Sequence, residues 1–202
     1  MSAAQWLIFL PACIGMNFFP GPNNLVALVH GIRTDAQHAT VAGLARLPVM
    51  VVMLVFLAVG LEALLVLSVS AFQWLRIIGA GYLLWMAWHA LRVVVSTPFD
   101  LEVGKTLWLM ARSEALVAFT NPKLILIFYA FFPQFIDPME PVVPQVIGMG
   151  GTFVLIEIAA IGVYAFGGCW LQEKFEDGRS SKWLPRFTAV ALAAAAGLIL
   201  VP

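Results

Sequence analysis

Phe18-Phe19-Pro20-Gly21-Pro22-Asn23-Asn24 interrupts an apolar run that begins at Ala3 and resumes at Leu25. Proline has no N–H to donate, and its ring clashes with the carbonyl four residues back, so two prolines around a glycine cannot continue an ordinary helix. In water such a stretch is a loop. Between two apolar segments it predicts a broken membrane helix, whose freed backbone groups must be paired by protein or cavity water because lipid offers no partner. Discontinuous helices at membrane depth often mark where a transporter holds its substrate. The plainer alternative is a proline kink in a spanning helix.

A second interruption, Thr120-Asn121-Pro122-Lys123, lies between Ala115–Phe119 and Leu124–Phe132. Pro122 follows Pro22 by one hundred positions, as Phe119 follows Phe19, in a chain of 202 residues. Each proline therefore stands equally deep in its half. Paired interruptions in corresponding places point to a binding site between two repeats.

The rest of the composition agrees. Hydrophobic residues make up 62% of the chain and charged ones 11%, and the mean hydropathy is +0.95. A water-soluble domain of this length could not hide so much apolar surface. The chain reads as an all-α integral membrane protein, one transporter domain over residues 1–202 with candidate halves 1–95 and 103–202. The formal net charge of zero suggests no nucleic-acid partner. Cys13 and Cys169 lie far apart in apolar runs and read as packing residues. His30, His38 and His89 show no ligand spacing, so no metal and no cofactor is implied. The start, Met1-Ser2-Ala3-Ala4, lacks a basic region, so the first run reads as a retained helix.

Six spanning helices are expected, each needing roughly 20 apolar residues: residues 3–30, broken at Pro20–Pro22; 41–67; 72–95; 106–132, with the second break; 145–171; and 183–201. A short turn at 68–70 makes a hairpin of the second and third. The Pro133–Pro144 connector, with its four prolines, reads as a rigid loop. Basic residues gather at the first, third and fifth connectors (Arg33, Arg92, Lys105, Arg112, Lys174, Arg179, Lys182, Arg186), whereas the fourth has none. The positive-inside rule puts those three connectors in the cytoplasm and both termini outside. Three helices per half is an odd number, so a duplicated half would be inverted: a 3+3 inverted repeat with broken helices 1 and 4. The alanine-rich last helix suits close packing, within the chain or across a homodimer.

In its motifs the chain resembles the lysine exporter (LysE/RhtB) family of amino-acid exporters. The matching residues are Pro20-Gly21-Pro22-Asn23, Gly31, Ala42-Gly43, Gly60-Leu61, Gly79, Tyr82-Leu83, Trp85, Asn121-Pro122-Lys123, Phe132-Pro133-Gln134-Phe135 and Tyr164. They cover nearly the whole chain, and the two proline motifs are specific in combination. The resemblance implies a six-helix protein of the bacterial inner membrane that expels amino acids or close derivatives using the proton-motive force. Arg46, Glu62 and Glu114 stand where the family usually has small or neutral residues, and would either alter substrate choice or lie at the membrane edge.

The polar residues supply candidates. Pro20, Gly21 and Pro22 form the broken backbone of a substrate site. Asn23 and Asn24 could grip an amino-acid backbone, hold the carbonyls freed by the break, or cap a half-helix starting at Leu25. Asn121, before Pro122, has the same options. Lys123 in an apolar segment is costly unless it lines a cavity or finds a partner, and is expected to attract a substrate carboxylate; the alternatives are snorkelling or a fixed pair with an acid such as Glu157. Glu157, amid Phe153–Ala160, is the expected proton carrier, or else a structural partner of Lys123 or an arginine. Arg112 and Glu114 read as a gate or as interfacial charges, and Arg46 and Arg76 as near enough to helix ends to snorkel. Tyr82 offers a hydroxyl to the pathway or a contact with Gly79 and Gly81. Gln134 is an outer-gate candidate.

The leading function is a secondary exporter whose partners are a small amino acid, protons and the lipid bilayer. The alternatives are a channel-like permease or a structural membrane subunit without transport. An intramembrane enzyme would need a nucleophile–base or metal set, and the histidines show no paired acid.

Overall fold

The computed structural model describes residues 3–68, 70–78 and 106–174, and their regular structure is entirely helical. Tyr82, most of the expected third helix and all of the sixth lie outside the described residues. The elements are α1 (Ala3–Phe18), α2 (Pro22–Arg33), α3 (Ala36–Gly43), α4 (Arg46–Leu67), α5 (70–78), α6 (Leu107–Thr120), α7 (Pro122–Leu126) and α8 (Val142–Lys174). After α7 the chain winds on as a π turn, Ile127–Phe131, and a 3-10 turn, Phe132–Phe135.

Local chemistry explains where these elements begin. α2 and α7 each start on a proline, at the first helical position, where the missing N–H has no partner to lose. Asp35 caps α3 by accepting the His38 N–H at 2.9 Å, so the helix begins at Ala36 rather than near Val41 and takes in residues 36–40 of the expected connector. Ser68 Oγ accepts from the Ala71 N–H at 3.2 Å, closing the short turn into α5. α8 also outruns its expected bounds at both ends. The Gln145 amide ties the preceding connector down, accepting from the Asp137 N–H and donating to the Asp137, Glu140 and Pro141 carbonyls.

Two described helices are long and apolar enough to cross a membrane, Ala36–Leu65 (α3 running into α4) and Val142–Glu173. A third span results if α6 and the Pro122–Phe135 segment, bent by 47°, are taken together. On α4, Val51, Val55, Phe56 and Val59 are exposed while Met50, Met53, Leu57 and Leu61 are buried. A helix apolar on both faces belongs in lipid. The charges run the other way: Arg46, Glu114 and Glu157 are buried. This inside-out distribution makes the chain a membrane protein.

α8 is the spine. α2 crosses it so closely that a Cβ on Gly168 would run into the Leu28 carbonyl oxygen, and one on Gly31 into that of Ala165. Only glycines permit this backbone-to-backbone approach. Beyond the crossing, Phe9, Phe128, Phe131, Phe132, Phe135 and Phe153 interlock mostly edge to face, with neighbouring ring centroids 4.8–6.2 Å apart. This apolar plug joins α1 and the α7 extension to α8 and closes one side of the polar centre.

Candidate functional site

Both proline interruptions open into this centre, and they touch. Asn121 Nδ2 donates to Asn23 Oδ1 at 2.6 Å. The break after α1 exposes backbone carbonyls that lipid could not serve. Side chains serve them. Asn24 Nδ2 donates to the Asn17 and Phe19 oxygens at 2.8 and 3.1 Å, Tyr164 OH to Phe18 O at 2.8 Å, Lys123 Nζ to Phe19 O at 2.7 Å, and Asn17 Nδ2 to Cys13 O at 2.8 Å. Of the roles expected for Asn23 and Asn24, capping a helix at Leu25 is not the one adopted: that helix begins at Pro22, and Gly21 at its N-cap supplies no side chain. Asn24 holds the broken end instead. Asn121 is a true cap, accepting from the Lys123 N–H at 3.0 Å.

Arg46 is the largest correction to the sequence reading. It stands at the first residue of α4, yet it does not snorkel. Its guanidinium is fully buried. It donates to Glu157 Oε1 at 2.7 Å, to Asn24 Oδ1 at 3.2 Å and to the Asn23 carbonyl at 3.0 Å. Its Nη2 lies 2.8 Å from Glu114 Oε2. That second contact is an ion pair by distance but lacks hydrogen-bond alignment, so both Glu114 oxygens are without an aligned donor. Glu114, expected at the water boundary, is equally buried, because α6 turns it inward against α2, where Asn23 Nδ2 donates to its backbone carbonyl at 3.1 Å. His30 was expected to lack a paired acid; its Nδ1 lies 3.3 Å from Glu114 Oε1. Glu157 pairs with Arg46 and not with Lys123.

Gly21, Asn23, Asn24, Asn121, Lys123, Leu124, Phe153 and Glu157 line one narrow, partly open cavity with room for about one water molecule. Gly21 makes room for the lysine, whose Cδ would lie 2.9 Å from a Cβ at that position. Lys123 and Glu157 thus bring one basic and one acidic side chain to the same wall. Pro20 and Pro22 frame the break beside it. The remaining candidates lie elsewhere. Arg112 is exposed on α6, and Glu62 is exposed on α4 as expected. Gln134 bridges the Arg76 and Ala130 carbonyls at 2.8 and 3.1 Å. No cluster of metal-ligating side chains occurs among the described residues. Sequence reasoning missed Arg46, His30 and Asn17 as members of the centre. One signal was available: Asn23 and His30, seven apart, share a face of α2 and need polar neighbours.

The family model described as LysE type translocator matches residues 14–201. An uncharacterized membrane protein of Vibrio cholerae is 30% identical over 78% of this chain and 77% of its own length. A homoserine/homoserine lactone efflux protein of Salmonella typhi is 28% identical over 82% of this chain and 81% of its own. A leucine efflux protein of Klebsiella pneumoniae is 32% identical over 66% of this chain and 64% of its own. No solved structure matches.

Proposed function

The chain belongs to the LysE type translocator family, and on that premise we propose that it exports a small amino acid or amino-acid derivative across the bacterial inner membrane, driven by the proton gradient. Translocators of this family are transporters and not enzymes. The observation that carries the substrate class is the cavity wall, where Lys123 and Glu157 stand together with three asparagine side chains. A free amino acid is a zwitterion. The lysine suits its carboxylate, the glutamate its ammonium group, and the amides its remaining polar atoms. Leu124 and Phe153 leave an apolar surface for an uncharged side chain. Relatives named for efflux of homoserine and of leucine handle amino acids of that kind.

In this reading six helices form two inverted halves with both termini periplasmic, the breaks at Pro22 and Pro122 are broken spans, and one half rocks against the other. The cavity is small, so the halves part to admit substrate. Glu157 is the cavity-facing proton carrier. Gln134 and Arg112, outside the cavity, act at most in gating.

Export from loaded proteoliposomes tests the proposal. Lys123→Gln and Lys123→Met are expected to lower export severalfold while inserting normally. Wild-type rates in both would overturn the assignment of the lysine. Uphill export that needs a proton gradient separates a secondary exporter from a channel, and wild-type protein that moves no amino acid would leave only a structural subunit.

A further inference from the structure

We propose that His30 and Glu114 form a proton-binding site, in which one proton is held between His30 Nδ1 and Glu114 Oε1 next to the substrate cavity. Its role in transport rests on the exporter reading above; its existence does not.

The argument is a count of hydrogens. Ser113 Oγ has a single hydrogen, and it donates that hydrogen to the Met110 carbonyl at 2.8 Å. Toward His30 Nε2, 3.4 Å away, the hydroxyl therefore only accepts. That arrangement assigns the hydrogen of a neutral His30 to Nε2; the reverse, with Ser113 donating to Nε2 and the hydrogen on Nδ1, is the alternative that the test below decides. With the hydrogen on Nε2, a neutral His30 sets its bare Nδ1 3.3 Å from Glu114 Oε1, close but out of line for a hydrogen bond. An ionised Glu114 answers with another lone pair. Both side chains are fully buried, and neither Nδ1 nor either Glu114 oxygen has an aligned donor. Two acceptors this close in a buried site repel, and one proton shared by the pair, brought into line by a small rotation of the ring or carboxyl, removes the conflict. It resides on the imidazole, facing a carboxylate, or on the carboxyl, donating to the ring. Moving between the two it breaks one N–H or O–H bond and forms the other, and nothing else changes.

The surroundings connect this proton to the cavity. Of the charged groups, Arg46 faces the pair from α4 and, beyond it, Glu157 from α8. On α3, Asp35 and His38 pair with each other at the surface. Arg33 and Arg112, on the helices that carry the pair, are exposed. With His30 neutral and Glu114 ionised, Arg46 and Lys123 balance Glu114 and Glu157. An added proton leaves one net positive charge in the centre. Arg46 holds Glu114 on one side and Glu157 on the other, so loading the pair alters the field at the guanidinium and through it at the cavity wall. Glu157, the cavity-facing carrier, and the His30–Glu114 pair are then two proton sites on opposite sides of one guanidinium.

The test reads the proton directly. Full-length protein carrying 15N-histidine, in lipid bilayers, is followed by solid-state NMR across pH, with His30 assigned by its loss in His30→Gln. The same samples are followed by infrared difference spectroscopy. The expected result is an Nε2–H tautomer, with Nδ1 titrating together with a carboxylic-acid band that disappears in Glu114→Gln. An Nδ1–H tautomer with Nε2 as the acceptor would overturn the proposal, as would a His30 titration that Glu114→Gln leaves unmoved. In proteoliposomes the pH profile of export is expected to shift in His30→Gln and in the charge-removing double variant His30→Gln/Glu114→Gln. A wild-type pH profile in a folded variant would overturn the role. If wild-type protein moves no amino acid, the exporter reading fails, while the spectra still decide the proton site.

Discussion

Replacing Arg46 with methionine is the sharpest test of the buried centre. Methionine is long and flexible enough to fill most of the arginine's space, so the loss is electrostatic more than steric. It strips Glu157 of a 2.7 Å hydrogen bond, leaves Glu114 without the cation 2.8 Å away, and frees Asn24 Oδ1 and the Asn23 carbonyl. Removing one partner of a buried ion pair costs about 3–5 kcal/mol, because the other charge stays behind. At about 2–4 °C per kcal/mol for a chain of this size, thermal unfolding in detergent is expected some 6–20 °C lower. Reaction of the buried Cys13 with a thiol dye on heating is a convenient probe. Arg46→Lys recovers only part of the loss, since one ammonium cannot fork between two carboxylates. The decisive comparison is Arg46→Met/Glu157→Gln, which removes one of the orphaned charges. A charge-assisted hydrogen bond of this kind contributes about 1.5–3 kcal/mol, so the double variant should be more stable than the summed singles by about that much. Additivity within about 0.5 kcal/mol would mean that the two side chains do not interact.

Gly168→Ala drives a methyl group into the Leu28 backbone, which cannot rotate away, and is expected to cost about 1–3 kcal/mol or more in unfolding experiments. Gly162→Ala, with nothing near its Cβ position, should be neutral or stabilising by up to about 1 kcal/mol. Tyr164→Phe leaves the Phe18 carbonyl without its side-chain donor and is expected to lower stability by about 1–3 kcal/mol in the same assay. The His38 backbone N–H and ring hold the Asp35 carboxyl below its usual range. Its contribution to the start of α3 is therefore complete above the unfolded-state value near ~3.9 and is lost as pH falls through the lower folded value. Protection of the amides at the start of α3, relative to their intrinsic exchange rates, should fall in acid, with a step that Asp35→Ala removes.

The breaks were legible because proline chemistry is local. A lone proline does not decide it, since Pro11 lies inside α1; Pro20-Gly21-Pro22 adds a glycine and Asn121-Pro122 a capping asparagine, and α2 and α7 start on Pro22 and Pro122. Lys123 and Glu157 were legible as intramembrane charges, since lipid makes any such residue conspicuous. Arg46 and Glu114 were misjudged for one reason: depth was inferred from position along a helix. Arg46 stands at the first residue of α4, but α3 leads into α4 almost without interruption, so that end lies inside the molecule rather than at the water. Glu114 sits seven residues into α6, within reach of a surface only if α6 faces outward, and the face it turns inward is decided by α2. Periodicity along one helix carries no information about which neighbour arrives. The His30–Glu114 contact joins residues 84 apart in the sequence and was hidden for the same reason.

Lys123 connects stability to the proposed transport. Its ammonium donates to Phe19 O, a carbonyl that the helix break leaves to side chains, and it also faces the cavity. A substrate carboxylate drawn to the lysine would compete with that carbonyl. The competition is graded, because Asn24 Nδ2 also donates to Phe19 O, so the carbonyl keeps one partner if the lysine turns away. What would change is the tie between the two interruptions: Lys123 belongs to the second and Phe19 to the first. Substrate binding would therefore loosen a cross-link between the two breaks while leaving each break's backbone paired. The Asn121–Asn23 bond, the other tie between them, runs between two neutral amides. A neutral amide is a weaker lure for a carboxylate than an ammonium. On the proposed function the cross-link that would yield to substrate is thus the charged one, and the lysine's position would give binding a direct mechanical consequence for how the two interruptions are held together.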